Sequence, residues 1–272
     1  MKRPLIVGGA SGVGLALAHA LAADGQAERI DIVDRNPVPA AQAHPLFCVH
    51  RFDLQSADFS FFDRFADADG LLITAGFGRL AHFADLDEAH ITASLAVNTT
   101  AVARLLHRFY PRLLGAAPFP CLVMGSIAGF MSSPLYAIYG ASKAALKVLI
   151  ESLNVELEMA PSANRILHVA PGNIAGTAFH DNDRQPSLNS QLSTLNSHLP
   201  TLHSSPSLTD LEALRPLAAE IIDHLRAGHD RFIPHFDEVY AQVLERAHQD
   251  FREEGRHSYR YKIERLELRV ES

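Results

Sequence analysis

The sequence predicts an α/β fold in which a doubly wound parallel sheet lies between two layers of helices. Short apolar runs alternate with helical segments from residue 5 to residue 169, a pattern that produces parallel sheets. The apolar runs lack a polar residue at every second position, which indicates strands buried on both faces. Of the 272 residues, 47% are hydrophobic and 20% are charged, so the composition is that of an ordinary globular protein.

Six strands and six helices are predicted in order along the chain. The candidate strands are the apolar runs at residues 5–7, 30–33, 47–49, 71–74, 121–124 and 166–169. The candidate helices carry apolar residues three and four positions apart and cover residues 12–23, 59–65, 91–114, 136–159, 210–226 and 237–252. We expect one domain over residues 1–272, although the length alone also permits two small domains. Cys48 and Cys121 fall in strands and are predicted to be buried, reduced thiols.

The alternation of strands and helices stops between residues 181 and 208, where Ser, Asn, His and Leu dominate. Five leucines in this stretch are three or four residues apart, a spacing that would place them on one stripe of a helix. They are Leu188, Leu192, Leu195, Leu199 and Leu202. The segment is therefore a candidate substrate lid, and its apolar stripe favours a partly apolar substrate. Because Ser and Asn are mediocre helix formers and Pro200 interrupts the end, a mobile coil is an equal alternative.

The end of the chain, residues 237–272, is expected to contain a helix followed by a tail. Tyr259, Tyr261 and Ile263 alternate with charged residues in that tail, and a period of two predicts a short strand or bulged ribbon over residues 257–270. A charged, disordered tail is the alternative.

Charge and hydropathy exclude several classes of partner. The net charge of −7 gives no electropositive surface for nucleic acid. No stretch approaches 18 consecutive apolar residues, so no membrane span is expected, and the absence of a signal sequence predicts a cytoplasmic protein. The 15 histidines form no HxxxH or HExxH pair, and we expect no metal site. His224, His229 and His235 are not expected to share a metal.

Three glycines, Gly8, Gly12 and Gly14, follow the first predicted strand and lead into the first helix. Glycine lets the backbone approach a pyrophosphate closely, while the free N–H groups of the helix start point at the anion. Ser11 and Val13 lie in the same loop. Asp34 ends the second strand, where a carboxylate can accept hydrogen bonds from the adenosine ribose of a dinucleotide and would repel a 2′-phosphate. NAD is favoured over NADP, although Arg35 could turn towards a phosphate.

Tyr139 and Lys143 are four residues apart in a predicted helix, so both side chains project from one face. A free tyrosine has a pKa near ~10. A neighbouring ammonium, together with a cationic nicotinamide, is expected to lower the phenol pKa by about three units, so that it can exchange a proton near neutrality. Ser126 comes 13 residues earlier, beyond the end of a strand where α/β folds place their ligands. Its hydroxyl could hold a substrate oxygen.

Together these motifs resemble those of the classical short-chain dehydrogenases/reductases, a family with a Rossmann-type fold. The likeness covers about residues 5 to 177 and rests on the joint occurrence of short strings in family order. They are VGGASGVG, Asp53, Thr74-Ala75-Gly76, Val97-Asn98, Gly125-Ser126, Tyr139-Gly-Ala-Ser-Lys143 and Pro171-Gly172. The resemblance implies an NAD(P)-dependent oxidoreductase that interconverts a secondary alcohol and a ketone, with Tyr139 as general acid/base. It also implies a homodimer or homotetramer.

The resemblance implies roles for residues beyond the glycine loop. Asn98 would support a proton relay through water to Lys143. The remaining cofactor contacts would come from Asp53 and Leu54 near the adenine, Ala75 and Gly76 on the adenosine side, and Pro171, Gly172 and Ile174 beside the nicotinamide. Three departures from the family pattern stand out: Val7 replaces a threonine that often braces the loop, Thr177 lies one residue late, and the C-terminal region is atypical. These departures keep a non-catalytic NAD(P)-binding regulatory or scaffold protein open. A sugar-nucleotide epimerase or dehydratase shares the Tyr/Lys pair and is the other alternative.

Overall fold

The computed structural model contains a seven-stranded sheet in the order β3-β2-β1-β4-β5-β6-β7, and every pairing is parallel. It describes residues 1–175, 177 and 208–268. The strands are β1 (Pro4–Val7), β2 (Ile30–Asp34), β3 (Phe47–Arg51), β4 (Gly70–Ile73), β5 (Cys121–Met124), β6 (Ile166–Val169) and β7 (Arg231–Phe232). Strand order reverses direction between β1 and β4, so the carboxyl ends of these strands open a crevice there. The predicted doubly wound parallel sheet is confirmed.

Helices cover both faces of the sheet. They are α1 (Gly12–Ala23), α2 (Glu88–Leu95), α3 (Ala101–Leu114), α4 (Ala137–Met159), α5 (Leu211–Arg226), α6 (Ala241–Gln249) and α7 (Phe251–Leu268). A 3-10 helix occupies Ser60–Phe65, and π-helical turns occupy Ala96–Thr100 and Phe236–Tyr240. The single helix predicted over residues 91–114 is thus α2 and α3 joined by a π-helical turn. The proposed lid lies outside the described residues, apart from Leu208.

Two apolar cores explain why the strands lack polar alternation. Leu5 and Val7 of β1 face α3 and α4, whereas Ile6 between them faces α1 and α5. The strands β1, β4 and β5 are therefore buried on both faces and carry no charged or polar side chain. Burial of the apolar surface of these two cores is the main contribution to the free energy that holds the helices against the sheet.

The strand predicted over residues 257–270 is wrong for its described part, because α7 continues through Leu268. The backbone N–H groups of Arg252 and Glu253 both donate to Asp250 Oδ1 at 2.9 Å and cap this helix. The run beyond the cap is rich in Glu, Arg, Lys and Leu, which have high helix propensity. A period of two in the apolar residues does not by itself indicate a strand, because a strand also needs the edge of a neighbouring strand to pair with.

Two smaller expectations also change. Cys121 is buried as predicted, but Cys48 is only partly buried because β3 is an edge strand. Strand β7 was not among the predicted strands, since two residues give no periodicity. Among the described residues, no helix combines the length and apolar character that crossing a membrane requires.

Candidate active site

The glycine loop is shaped by contacts that leave no room for side chains. Gly8 has φ +89°, in the left-handed region, and a Cβ there would overlap Ala75. A Cβ on Gly14 would overlap the carbonyl of Gly8 and the hydroxyl of Thr74. That hydroxyl donates to Gly8 O at 2.9 Å and to Val7 O at 3.2 Å. Thr74 therefore braces the glycine loop with its hydroxyl, as a threonine in place of Val7 often does.

The start of α1 meets two residues from much later in the chain. Gly12 N donates to the hydroxyl of Thr209 at 2.8 Å, and a Cβ on Gly12 would come within 3.6 Å of Thr177. Thr209 is buried and its backbone is held by Gln42, whose Nε2 donates to Thr209 O at 2.6 Å. The late position of Thr177 still brings it to the glycine loop. Nothing in the local sequence identifies Thr209, because the contact spans the proposed lid.

Asp34 lies at the carboxyl end of β2 with both carboxylate oxygens fixed. Oδ2 accepts a hydrogen bond from Ala10 N at 3.1 Å, and Oδ1 accepts one from Asn36 N at 3.0 Å. The carboxylate is thus tied to the glycine loop on one side and to its own turn on the other. Arg35 lines the same part of the cavity.

A cavity of about 700 Å³ runs from Asp34 past the glycine loop to the catalytic candidates. Its lining contains every predicted cofactor residue: Gly8, Ser11, Gly12, Val13, Gly14, Asp34, Arg35, Asp53, Leu54, Ala75, Gly76, Lys143, Pro171, Gly172 and Ile174. Two tight glycines, a helix start and a fixed carboxylate are the features that a dinucleotide needs. The residues present therefore fit a nicotinamide dinucleotide.

Ser126 and Tyr139 meet in the same cavity. Ser126 follows β5 and accepts a hydrogen bond from Ala128 N at 3.1 Å, which fixes its side chain at the start of a short 3-10 turn. Burial raises the pKa of Tyr139 to about 12, while a hydrogen bond with Ser126 acts to lower it. The two hydroxyl groups are therefore close enough to hold one substrate oxygen between them.

Lys143 lies one helical turn from Tyr139 on α4, as predicted. Its Nζ donates to Met124 O at 2.9 Å and stands 5.7 Å from the centroid of the Tyr139 ring. Burial lowers the pKa of Lys143 to about 8. The expected lowering of the Tyr139 pKa is not produced by the protein groups alone, because burial outweighs the hydrogen bond with Ser126. At neutral pH the phenol carries its proton.

Asn98 lies behind the cavity and does not line it. It is fully buried in the π-helical turn, where Oδ1 accepts from Phe77 N at 3.0 Å and Nδ2 donates to Phe77 O at 2.8 Å. Nδ2 also donates to Ser142 Oγ at 3.1 Å. The wider π-helical turn lets this side chain clamp the loop after β4 against α4. In the structure Asn98 thus holds Phe77, the neighbour of Gly76, and Ser142, the neighbour of Lys143.

The far wall of the cavity comes from α6, α7 and the turn before them, which the sequence did not point to. Tyr240 occupies the space that a Cβ on Gly172 would need. Gly255 packs against Ser132, so α7 rests on the loop before α4. In that loop Leu135 has φ 67° and is buried, a strained conformation of the kind found at ligand sites.

Two of the three histidines near residue 230 are in contact with each other. His224 and His229 do meet, with their Nδ1 atoms 2.7 Å apart, whereas His235 pairs with Glu238. Within the described ranges, no group of three or more His, Cys, Asp or Glu is arranged to hold a metal ion.

Residues 2–187 match the family model described as short chain dehydrogenase. The chain belongs to the short chain dehydrogenase family. The family model ends before residue 208, and the region after it contains Thr209 and the far wall of the cavity.

Relatives of this short chain dehydrogenase match it over different lengths. Human 17-beta-hydroxysteroid dehydrogenase type 1 is 38% identical over 89 residues, which are 33% of this chain and 27% of that enzyme. A short chain dehydrogenase/reductase from Burkholderia phymatum in complex with NAD has a TM-score of 0.68 at 21% identity, covering 92% and 93% of the two chains. One from Sphingobium yanoikuyae in complex with NADPH has a TM-score of 0.67 at 21% identity, covering 92% and 94%. These structures share the fold with this chain.

Proposed function

We propose that this short chain dehydrogenase is an NAD(P)-dependent oxidoreductase that interconverts a secondary alcohol and a ketone. The observation that carries the proposal is the convergence of Ser126, Tyr139 and Lys143 with the glycine loop in one cavity. The human relative is named for action on a hydroxysteroid, which is an alcohol.

The protein groups supply the proton and the positioning for this reaction. A nicotinamide dinucleotide bound along the cavity would donate or accept the hydride. In reduction, Ser126 holds the carbonyl oxygen and Tyr139 gives it a proton as the carbonyl carbon gains the hydride, which leaves an alcohol and a phenolate. The buried Lys143 ammonium stabilises that phenolate. Because burial raises the pKa of Tyr139 to about 12, the phenol carries the proton that this reductive step needs.

We infer that NAD(H) is the preferred dinucleotide. The Asp34 carboxylate lines the cavity at the end of β2, where it would accept hydrogen bonds from a ribose diol and repel a 2′-phosphate. Arg35, beside it, is the group that would favour NADP.

We propose a homodimer or homotetramer and a single domain with a lid at residues 181–208. Val148, Val155 and Met159 of α4 are exposed. They are seven and four residues apart, so they form one apolar stripe on the outer side of that helix. A partner subunit would cover the stripe, and sedimentation of the purified protein measures the assembly.

The test is the absorbance of NADH and NADPH with a panel of ketones, comparing wild type with Tyr139→Phe. Loss of the phenol proton donor should lower kcat by about 10²- to 10⁴-fold with little change in NADH affinity. Tyr110→Phe is the matched control, because Tyr110 lies on α3 and bonds Glu156 away from the cavity. Equal turnover by wild type and Tyr139→Phe, or no ketone reduction with either dinucleotide, contradicts the proposal.

A further inference from the structure

The substrate side of the cavity contains a cation that the proposed reaction does not use. Lys262 of α7 lines the cavity together with Tyr136 and Tyr139. Its Nζ donates to Pro134 O at 2.8 Å and to Ser133 Oγ at 3.1 Å. An ammonium has three N–H donors, so one remains for a further acceptor.

The ammonium lies two aromatic rings from the proton donor. Lys262 Nζ is 5.4 Å from the centroid of the Tyr136 ring. The Tyr136 ring in turn packs edge-on against Tyr139, with their centroids 5.8 Å apart. A molecule that places a carbonyl at Tyr139 can therefore reach Lys262 with a group several bonds further along its chain.

The charge of Lys262 has no counterion in the part of the chain that the structure describes, where no carboxylate lies within 4.0 Å of its Nζ. The neighbouring cation on this wall, Arg246, differs, because its Nε bonds the buried Glu254 at 2.8 Å. Burial lowers the pKa of Lys262 to about 8. A partly desolvated ammonium is costly without an anion beside it, and a bound anion would offset that cost.

We propose that Lys262 determines specificity by binding an anionic group, a carboxylate in particular, at the end of the substrate remote from the reacting carbonyl. The inference rests on the proposed function and narrows its substrate class to keto acids and hydroxy acids whose two groups are several bonds apart. The five leucines that favour a partly apolar substrate lie outside the described residues, so that expectation stays a prediction.

The test uses straight-chain methyl ketones that end in a carboxylate, each paired with its methyl ester. For wild type, kcat/KM should be at least about tenfold higher for the acid than for the ester, the effect of one hydrogen bond to a charged group. In Lys262→Met the acid-to-ester ratio should fall to about one, and Lys262→Arg should restore part of it. Lys147→Met is the matched control, because Lys147 lies on α4 over Phe130 and should keep the wild-type ratio.

A binding measurement separates this inference from the proposed function. Calorimetric titration of each acid and ester into the protein with NAD⁺, which cannot reduce a ketone, should show tighter binding of the acid in wild type only. Equal affinity for acid and ester, or an acid preference that survives in Lys262→Met, overturns the inference whether or not the compounds are reduced. Acid-selective binding without any ketone reduction would support the carboxylate site and count against the proposed function.

Discussion

The two ends of the cavity are built in different ways. The dinucleotide end is made by loops that directly follow β1, β2 and β4, so its residues lie next to strands in the sequence. The substrate end is made by α6 and α7, whose contacts with the rest of the site are long-range, as in the bond from Lys262 to Pro134. The first end depends on local backbone geometry, whereas the second depends on how separate helices dock.

This difference decides which substitutions are tolerated at each end. At the dinucleotide end the backbone itself forms the cavity surface. A single methyl group added to a glycine there can therefore displace the loop and destroy the binding surface. At the substrate end side chains form the surface, and a family can change them without altering the sheet.

The largest effect is expected from Gly8→Ala. Left-handed backbone costs about 1–2 kcal/mol in a non-glycine residue, and overlap with Ala75 adds about 1–3 kcal/mol. We expect a fall of several kcal/mol in the free energy of unfolding and at least tenfold weaker NADH binding, roughly the cost of a displaced loop. Urea unfolding and fluorescence titration with NADH measure the two effects.

Gly12→Ala is the matched control for backbone strain alone. Gly12 also has a positive φ, of 54°, but among the described residues its Cβ would meet only Thr177, at an ordinary contact distance of 3.6 Å. Its cost should be limited to about 1–2 kcal/mol. If the free energy of unfolding falls by the same amount in both alanine variants, the close contact between Gly8 and Ala75 does not determine the shape of the dinucleotide end.

The sequence predicts the dinucleotide end well for a physical reason. Residues that follow consecutive parallel strands gather at one edge of the sheet, so Gly8, Asp34 and Ser126 can be placed together from their positions in the chain. The same reasoning places Lys143 beside Tyr139, because a helix fixes residues four apart. It does not give the phenol pKa set by the protein groups alone, which burial raises to about 12, since burial depends on the α4 environment as a whole.

The residues that reach the site from later segments of the chain could not be predicted in the same way. Thr209 and Lys262 reach the site only through tertiary docking of separate segments, and no spacing rule relates them to Gly12 or Tyr139. For α7, alternation of tyrosines with charges suggested a strand, although the residue types favoured a helix. An unpaired lysine in a charged run looks like a solvated surface residue until its neighbours are known.

The next effect concerns His168, which lies on β6 where the two ends meet. Its imidazole is buried beside Gly125, and neither ring nitrogen has a hydrogen-bond partner among the described residues. Burial lowers the pKa of His168 to about 4, and the charges of Lys143, Arg231 and Lys147 act in the same direction. The unfolded chain binds this proton at about pH 6.5. Stability should therefore fall as the pH drops from about 6.5 to 4, by on the order of 3 kcal/mol.

His168→Leu isolates this contribution from the other histidines. The difference in unfolding free energy between wild type and variant, measured by urea titration at each pH, should change across that range and be flat above pH 7. Parallel pH curves for the two proteins would mean that the imidazole has the same pKa in the folded and unfolded chain, and so is not buried from solvent.

The smallest effect tests whether the two ends are independent. Thr209 is the point where the chain returns from the proposed lid, and its hydroxyl accepts the hydrogen bond from Gly12 N. Thr209→Val keeps the shape of the side chain and removes that acceptor, which should cost about 1 kcal/mol of stability. Thr209→Ser keeps the hydroxyl and should cost less.

The affinity of these two variants for NADH tests the role of Thr209 more directly than their stability does. Gly12 N lies at the start of α1, where a phosphate oxygen would accept the same N–H. The Thr209 hydroxyl then competes with the dinucleotide, so Thr209→Val should bind NADH at least as tightly as wild type despite its lower stability. A loss of affinity in Thr209→Val that Thr209→Ser does not share would show that Thr209 itself binds the dinucleotide. The dinucleotide end would then include the start of α5 as well as the loops that follow β1, β2 and β4.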